Sequence, residues 1–243
     1  MISRLQISKL RMARMKSLFF ILFLSSSMNL ANSQEDAAKP IVKTITGKLS
    51  GMMDETTTGN SFYKFLGVPY AEPPVEKLRF KDPLAKKAWS GTINATETPE
   101  KCVQISAFPG FPVSLAGSED CLYLNIYTPS LPHPDYQGTK SLMPVMFWIH
   151  GGGFTTGDGQ INPEIILDEG VLVVSVNYRL GPFGFLALEG NPQLAGNLGL
   201  KDQQEALIWV HRNIKYFGGD PTKVTIFGES AGAVSVHAHV LSP

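Results

Sequence analysis

The 243-residue sequence has only two cysteines, only 17% charged side chains, and no excess of either sign, with 21 basic against 21 acidic residues. Each scarcity excludes something. A disulfide-dense scaffold needs more cysteines, and Cys102 and Cys121 lack the nearby histidines that a metal site would require. A neutral balance gives no basic field for nucleic acid. No apolar run approaches the ~20 residues that cross a bilayer, because Leu18 to Leu24 stops after seven at Ser25-Ser26-Ser27. Repeats, low-complexity tracts and the Gly-X-Gly-X-X-Gly fingerprint are absent too, so no nucleotide or other cofactor is expected. The 43% hydrophobic share is far too high for a disordered chain.

The neutral total conceals an asymmetry. Residues 1–33 carry Arg4, Lys9, Arg11, Arg14 and Lys16 with no acid, leaving 16 positive and 21 negative charges for the rest. A basic stretch, a short apolar run and the small residues of Ala31-Asn32-Ser33 read as a cleaved secretory signal, not a membrane anchor. Residues 34–243 then form one secreted domain. Asn94-Ala95-Thr96 is its one usable glycosylation sequon, expected on a surface loop. In that compartment Cys102 and Cys121 pair as a disulfide, closing a 20-residue loop for about 3 kcal/mol of stabilisation.

Short alternating runs at Ile41–Leu49, Phe62–Tyr70 and Cys121–Tyr127 predict a small N-terminal antiparallel sheet. From Met143 the runs become continuously apolar, as in Pro144–Ile149 and Val171–Val176, which suits strands buried on both faces of a parallel sheet. Leu200, Leu207, Val210, Ile214 and Phe217 fall at helical spacing before Gly218-Gly219. Lys223–Phe227 reads as a strand and Ser230–Leu241 as a helix. The class is α/β, with a mostly parallel central sheet.

Two motifs carry chemistry. Gly228-Glu229-Ser230-Ala231-Gly232 matches Gly-X-Ser-X-Gly, which a chain this long meets by chance roughly one time in twelve at ordinary Gly and Ser frequencies. Its setting between a β-branched strand and a helix is where a nucleophile elbow must lie. The helix N-terminus favours developing negative charge there. His150-Gly151-Gly152-Gly153-Phe154 follows an earlier buried strand, and its glycines leave backbone N–H groups free to meet a tetrahedral oxyanion.

Glu119–Asn125, Asn177–Gly181, Gly199–Gln203 and Phe217–Pro221 join those two motifs in an order that resembles the type-B carboxylesterase and cholinesterase family from about Ile41 onward. The resemblance implies an α/β-hydrolase fold and serine esterase activity on a small-molecule carboxylic ester through an acyl-enzyme. By position it makes Ser230 the nucleophile, and Gly152, Gly153 and Ala231 the oxyanion donors. Glu229 takes the place of the family's acidic active-site neighbour. It also pairs Cys102 with Cys121, and makes Arg79–Glu119 and Arg179–Asp202 buried structural ion pairs. No Trp stands between Cys102 and Cys121, only Phe108 and Phe111, which argues against choline esters. Trp89, Trp148 and Trp209 read as core.

One part of the machinery is not in the sequence. The expected chain order is Ser, then Asp or Glu, then His, yet no acid follows Ser230. His237 and His239 lie on the following helix, His237 about 10 Å along its axis. His150 belongs to the oxyanion segment, and His133 and His211 have no motif around them. The expectation is therefore the N-terminal portion of an esterase domain, incomplete at the C-terminus, and inactive alone for want of a base. The rival readings are a cholinesterase-like adhesion or binding protein without catalysis, and a short product that binds esters without turnover.

Overall fold

A computed structural model of the protein describes residues 39–106, 113–132, 142–191, 194 and 196–242. The signal sequence, Phe108, Phe111 and His133 lie outside these residues.

Six strands build the main sheet, in the order β11-β9-β10-β8-β4-β3. They are β3 (Met52–Glu55), β4 (Ser61–Pro69), β8 (Tyr123–Thr128), β9 (Met143–Ile149), β10 (Leu172–Val176) and β11 (Gly219–Gly228). β10 and β11 both run parallel to β9, whereas β8 is antiparallel to β10, β4 to β8 and β3 to β4. The sheet is thus mixed, not mostly parallel. The predicted small antiparallel sheet also dissolves, because Phe62–Tyr70 and Cys121–Tyr127 supply β4 and β8 of the main sheet. Burial explains this. Leu124 to Thr128 are all buried, so β8 is covered on both faces and belongs at the centre. Alternation along one strand does not reveal its partner.

A separate three-stranded sheet joins β1 (Ile41–Lys43), β2 (Lys48–Ser50) and β5 (Thr92–Asn94), with β1 and β2 antiparallel and β2 and β5 parallel. Antiparallel β6 (Gln104–Ser106) and β7 (Ser114–Ala116) lie within the loop closed by Cys102–Cys121. The helices are α1 (Glu164–Leu167), α2 (Gly181–Phe185), α3 (Leu198–Asn213) and α4 (Ala231–Leu241). Among the described residues no helix is long and apolar enough to cross a membrane.

The core sits on the main sheet. Val145, Phe147 and Ile149 point to one fully buried face of β9, and all of β10 is buried. Ala206, Trp209 and Val210 of α3, with Ile214 and Phe217 of the 3-10 turn behind it, cover that face. Phe217 meets the Phe65 ring edge-on at 5.0 Å. Each such side chain contributes about 1.5–3 kcal/mol by leaving water. Gly218, at φ +91°, reverses the chain into β11. Of the three tryptophans only Trp209 is core. Trp148 is half-buried against Phe227, and Trp89 lies over Gly47 with its N–H donated to the Lys48 carbonyl.

Candidate active site

Register places the two motifs side by side. β11 pairs with β9 so that Gly228 stands opposite Ile149, and both chains leave the sheet at the same end. Glu229-Ser230 leads into α4, and His150-Gly151-Gly152-Gly153 bends alongside it. The two turns touch. A Cβ on Gly151 would lie 2.5 Å from a Glu229 carboxylate oxygen and 3.1 Å from Ser230 Cβ. A Cβ on Gly232 would come within 2.0 Å of the Ile149 carbonyl oxygen, and one on Gly228 within 2.6 Å of it. Glycine is required at both positions because backbone passes backbone there.

Ser230 adopts φ +53° and ψ −120° as the residue immediately before α4, a conformation that costs a non-glycine residue about 1–3 kcal/mol. Closure of the turn holds it there, with Gly232 N–H donated to the Glu229 carbonyl and Val234 N–H to the Ser230 carbonyl. The strain lifts Ser230 out of the sheet, so it is exposed while Ala231 behind it is buried. Its hydroxyl stands at the positive end of an 11-residue helix.

Gly152 and Gly153 have φ +100° and +62° and are exposed. The Gly152 carbonyl accepts from the Thr155 and Thr156 amides at 3.1 and 3.0 Å and from both hydroxyls, which fixes the bend. Among the described residues no acceptor takes the N–H of Gly152, Gly153 or Ala231. Free amides beside an exposed hydroxyl are what oxyanion stabilisation requires.

The histidines are otherwise engaged. His150 is buried, stacks on Tyr178 at 4.4 Å and holds Nδ1 2.8 Å from the Gly151 carbonyl. Nδ1 therefore carries the proton, and burial pushes the His150 pKa below the usual histidine value. His239 turns away from Ser230 to Gln203, 2.9 Å distant, and His237 and His211 are exposed. Both histidines lie on α4, as their spacing indicated, His237 exposed and His239 half-buried.

Several residues that hold the bend escaped the sequence reading. Gln104 grips Gly157 by a reciprocal pair of 2.9 Å bonds and also donates to the Cys102 carbonyl. Asn177 accepts from Gly159 N–H, while Asn125 and Ser175 donate to the Gly159 carbonyl. Phe154, at φ +60°, accepts from Gly181 N–H at 2.7 Å and lays its ring 5.0 Å from that of Phe185. Asn125 and Asn177 lie inside recognisable motifs, but spacing does not say which carbonyl an amide will meet.

Cys102 and Cys121 form the expected disulfide. The two ion pairs differ from expectation. Arg179 and Asp202 are 4% and 0% exposed, with Asp202 receiving three hydrogen bonds from Arg179. Arg79 and Glu119 form a two-point pair but remain 39% and 24% exposed, so this pair is not buried; it sits where the chain near the disulfide reaches solvent. Asn94 is exposed at the end of β5, a strand terminus and not the loop that was expected.

The carboxylesterase family model matches residues 38–243. Venom carboxylesterase-6 of Apis mellifera is 46% identical over 213 residues, covering 87% of this chain and 37% of its own length. Esterase E4 of Myzus persicae is 48% identical over 206 residues, 84% of this chain and 36% of its own. Acetylcholinesterase of Electrophorus electricus is 42% identical over 238 residues, 93% of this chain and 36% of its own. The chain spans little more than a third of the length of these relatives.

Proposed function

Because the chain belongs to the carboxylesterase family, we propose that it carries the nucleophile and oxyanion donors of a serine carboxylic-ester hydrolase with the α/β-hydrolase fold. Ser230 Oγ attacks the ester carbonyl carbon, and the negative charge moves onto the carbonyl oxygen. The N–H groups of Gly152, Gly153 and Ala231 receive that charge, each worth about 10²–10³ in rate if lost. Collapse breaks the carbon–oxygen bond to the alcohol, which leaves with a proton, and water then releases the acid from Ser230. Glu229, against Gly151, assists at the rim of the site.

The Ser230 proton needs a base. His150 keeps Nδ1 on Gly151 and His239 keeps Nε2 on Gln203, so the proposal assigns the base to a residue outside the described ones. The observation that supports the reading is the Ile149–Gly228 register, which brings the turn of the strained, exposed Ser230 against the glycine bend at Gly151. We further infer secretion, from the leader and the disulfide, and a glycan on Asn94.

A fluorophosphonate probe tests the assignment, since only an activated serine displaces its fluoride. Mass spectrometry of the labelled esterase carrying this chain is expected to find the adduct on Ser230, and Ser230→Ala to abolish both labelling and nitrophenyl ester hydrolysis. Hydrolysis that survives Ser230→Ala overturns the assignment, and a folded protein that never takes the probe favours a non-catalytic binding protein.

A further inference from the structure

The side-chain amide of Gln104 is spent on the bend and on the disulfide loop. Gln104 is buried at the start of β6, where the pairing with β7 and the neighbouring Cys102–Cys121 bond fix its backbone. Its Oε1 accepts from Gly157 N–H at 2.9 Å, and its Nε2 donates to the carbonyls of Gly157 and Cys102, both also at 2.9 Å. The two bonds to Gly157 hold consecutive peptide planes, Thr156–Gly157 and Gly157–Asp158. Planarity carries that grip to the amides beside Ser230. A trans peptide points its carbonyl and its N–H in opposite directions, so whatever holds the Gly151 and Gly152 carbonyls aims the N–H groups of Gly152 and Gly153. His150 Nδ1 holds the first carbonyl at 2.8 Å, and the Thr155 and Thr156 amides hold the second. Gly157 lies against the first bond, since a Cβ on it would stand 2.4 Å from His150 Nδ1 and 2.7 Å from the Gly151 carbonyl oxygen. The Thr156 carbonyl lies against Gly152, 2.1 Å from where a Cβ there would be. Gln104 thus clamps the peptide that packs on both.

We infer that Gln104 is a positioning residue for the oxyanion amides, acting through the Thr156–Gly157 peptide, a role that rests on the esterase reading. Buried as it is, Gln104 works through the backbone and not on the ester. Binding of the neutral ester depends little on the aim of two N–H groups, whereas the charge that develops on the carbonyl oxygen depends on it directly. Formation and hydrolysis of the acyl-enzyme both pass through that oxyanion, so both slow alike when the clamp is lost. Removing it therefore lowers kcat and spares KM. The Nε2 bond to the Cys102 carbonyl makes the disulfide the fixed point from which the clamp acts.

The test measures turnover per reactive serine in the esterase carrying this chain. Gln104→Met keeps the length of the side chain and removes all three bonds. Gln104→Asn keeps an amide too short to bridge Gly157 and Cys102. Fluorophosphonate titration counts the competent Ser230, and nitrophenyl acetate hydrolysis gives kcat and KM. An aliphatic trifluoromethyl ketone reads the oxyanion alone. Ser230 Oγ bonds to its carbonyl carbon, the π pair moves onto the oxygen, and the serine proton passes to the base. In each folded variant kcat per titrated serine is expected to fall at least about tenfold, with KM within about threefold of the parent. The inhibition constant of the ketone is expected to rise by the same factor. A residue that served folding alone would lower the melting temperature and the number of titrated serines, and leave turnover per serine as in the parent. That result overturns the positioning role and leaves the esterase reading standing, as does a fall in kcat that leaves the inhibition constant unmoved. Failure of both variants to fold assigns Gln104 to folding and overturns the role too. Hydrolysis by the parent protein that survives Ser230→Ala overturns the esterase reading, and the positioning role falls with it.

Discussion

The two halves of the main sheet use the same building blocks for opposite ends. On the antiparallel side the polar pairs reach solvent, Lys64–Asp54 between β4 and β3 and Arg79–Glu119 in the connections between strands. Glu76 and Phe80, beyond β4, have positive φ too, but on the parallel side β9 and β11 lead straight into turns that hold Phe154 and Ser230 there, beside Gly152 and Gly153. Strain of that kind persists only where the surroundings over-determine it. Here the surroundings are buried and polar. Tyr178 donates to the His150 carbonyl, Arg179 grips Asp202, and Asn177 holds Gly159. These three consecutive residues leave β10 directly beneath the bend.

Breaking one arginine pair in each half gives the widest separation. Arg179→Met leaves Asp202 as a buried, unpaired carboxylate, and a loss of about 3–5 kcal/mol is expected. Arg79→Met abandons a partner that water can solvate, so a far smaller loss is expected. Urea unfolding of the two variants measures both, and similar losses would show that the two halves do not differ in how they are anchored. Arg179→Met with Asp202→Leu should recover much of the deficit, because the cost lies in the stranded charge.

Within the parallel half, the two exposed glycines sharpen the contrast. A Cβ on Gly152 would lie 2.1 Å from the Thr156 carbonyl oxygen, so the bend must open. On Gly153 its nearest neighbour is the Thr155 hydroxyl at 3.8 Å, leaving only the conformational penalty at φ +62°. Gly152→Ala is expected to lower kcat/KM by about 10²–10³, the worth of an oxyanion donor, and Gly153→Ala by about tenfold. Equal losses would mean that the bend tolerates or rejects both side chains alike, and that the Thr155 and Thr156 anchors do not set the amides.

Much of the parallel half was legible in the sequence. Apolar runs located β9 and β10, the 3.6-residue spacing located α3, and Gly-X-Ser-X-Gly located the turn before α4. Strand partnership was not legible, since β8 and β4 show their alternation to any neighbour equally well. Nor was the depth of an ion pair. Arg79 and Arg179 are the same residue type beside family-like motifs, and only the fold says which one water reaches. Gln104 was invisible for another reason. A glutamine that satisfies a distant backbone amide leaves no periodic trace, yet it joins the disulfide loop to the bend.

The remaining effect comes from His150, and its sign distinguishes an anchor from a catalytic group. Burial holds its folded-state pKa below the ordinary value of about 6.5. As pH falls through that value the unfolded chain takes up a proton that the folded chain refuses. The stabilisation is therefore complete above about pH 6.5 and is lost as pH drops toward the folded pKa. His239, also lowered by burial, adds to the same slope, so the variant must be compared with its parent. Replacing His150 by Gln should flatten the fall in unfolding free energy between pH 7 and 5 by up to about 1.4 kcal/mol per pH unit, with urea titrations at each pH as the measurement. A slope unaltered by His150→Gln would mean that the imidazole protonates as easily in the fold as outside it. In that event water would reach the imidazole in the fold, and the bend above β9 would rest on a solvated side chain, as the ion pairs of the antiparallel side do.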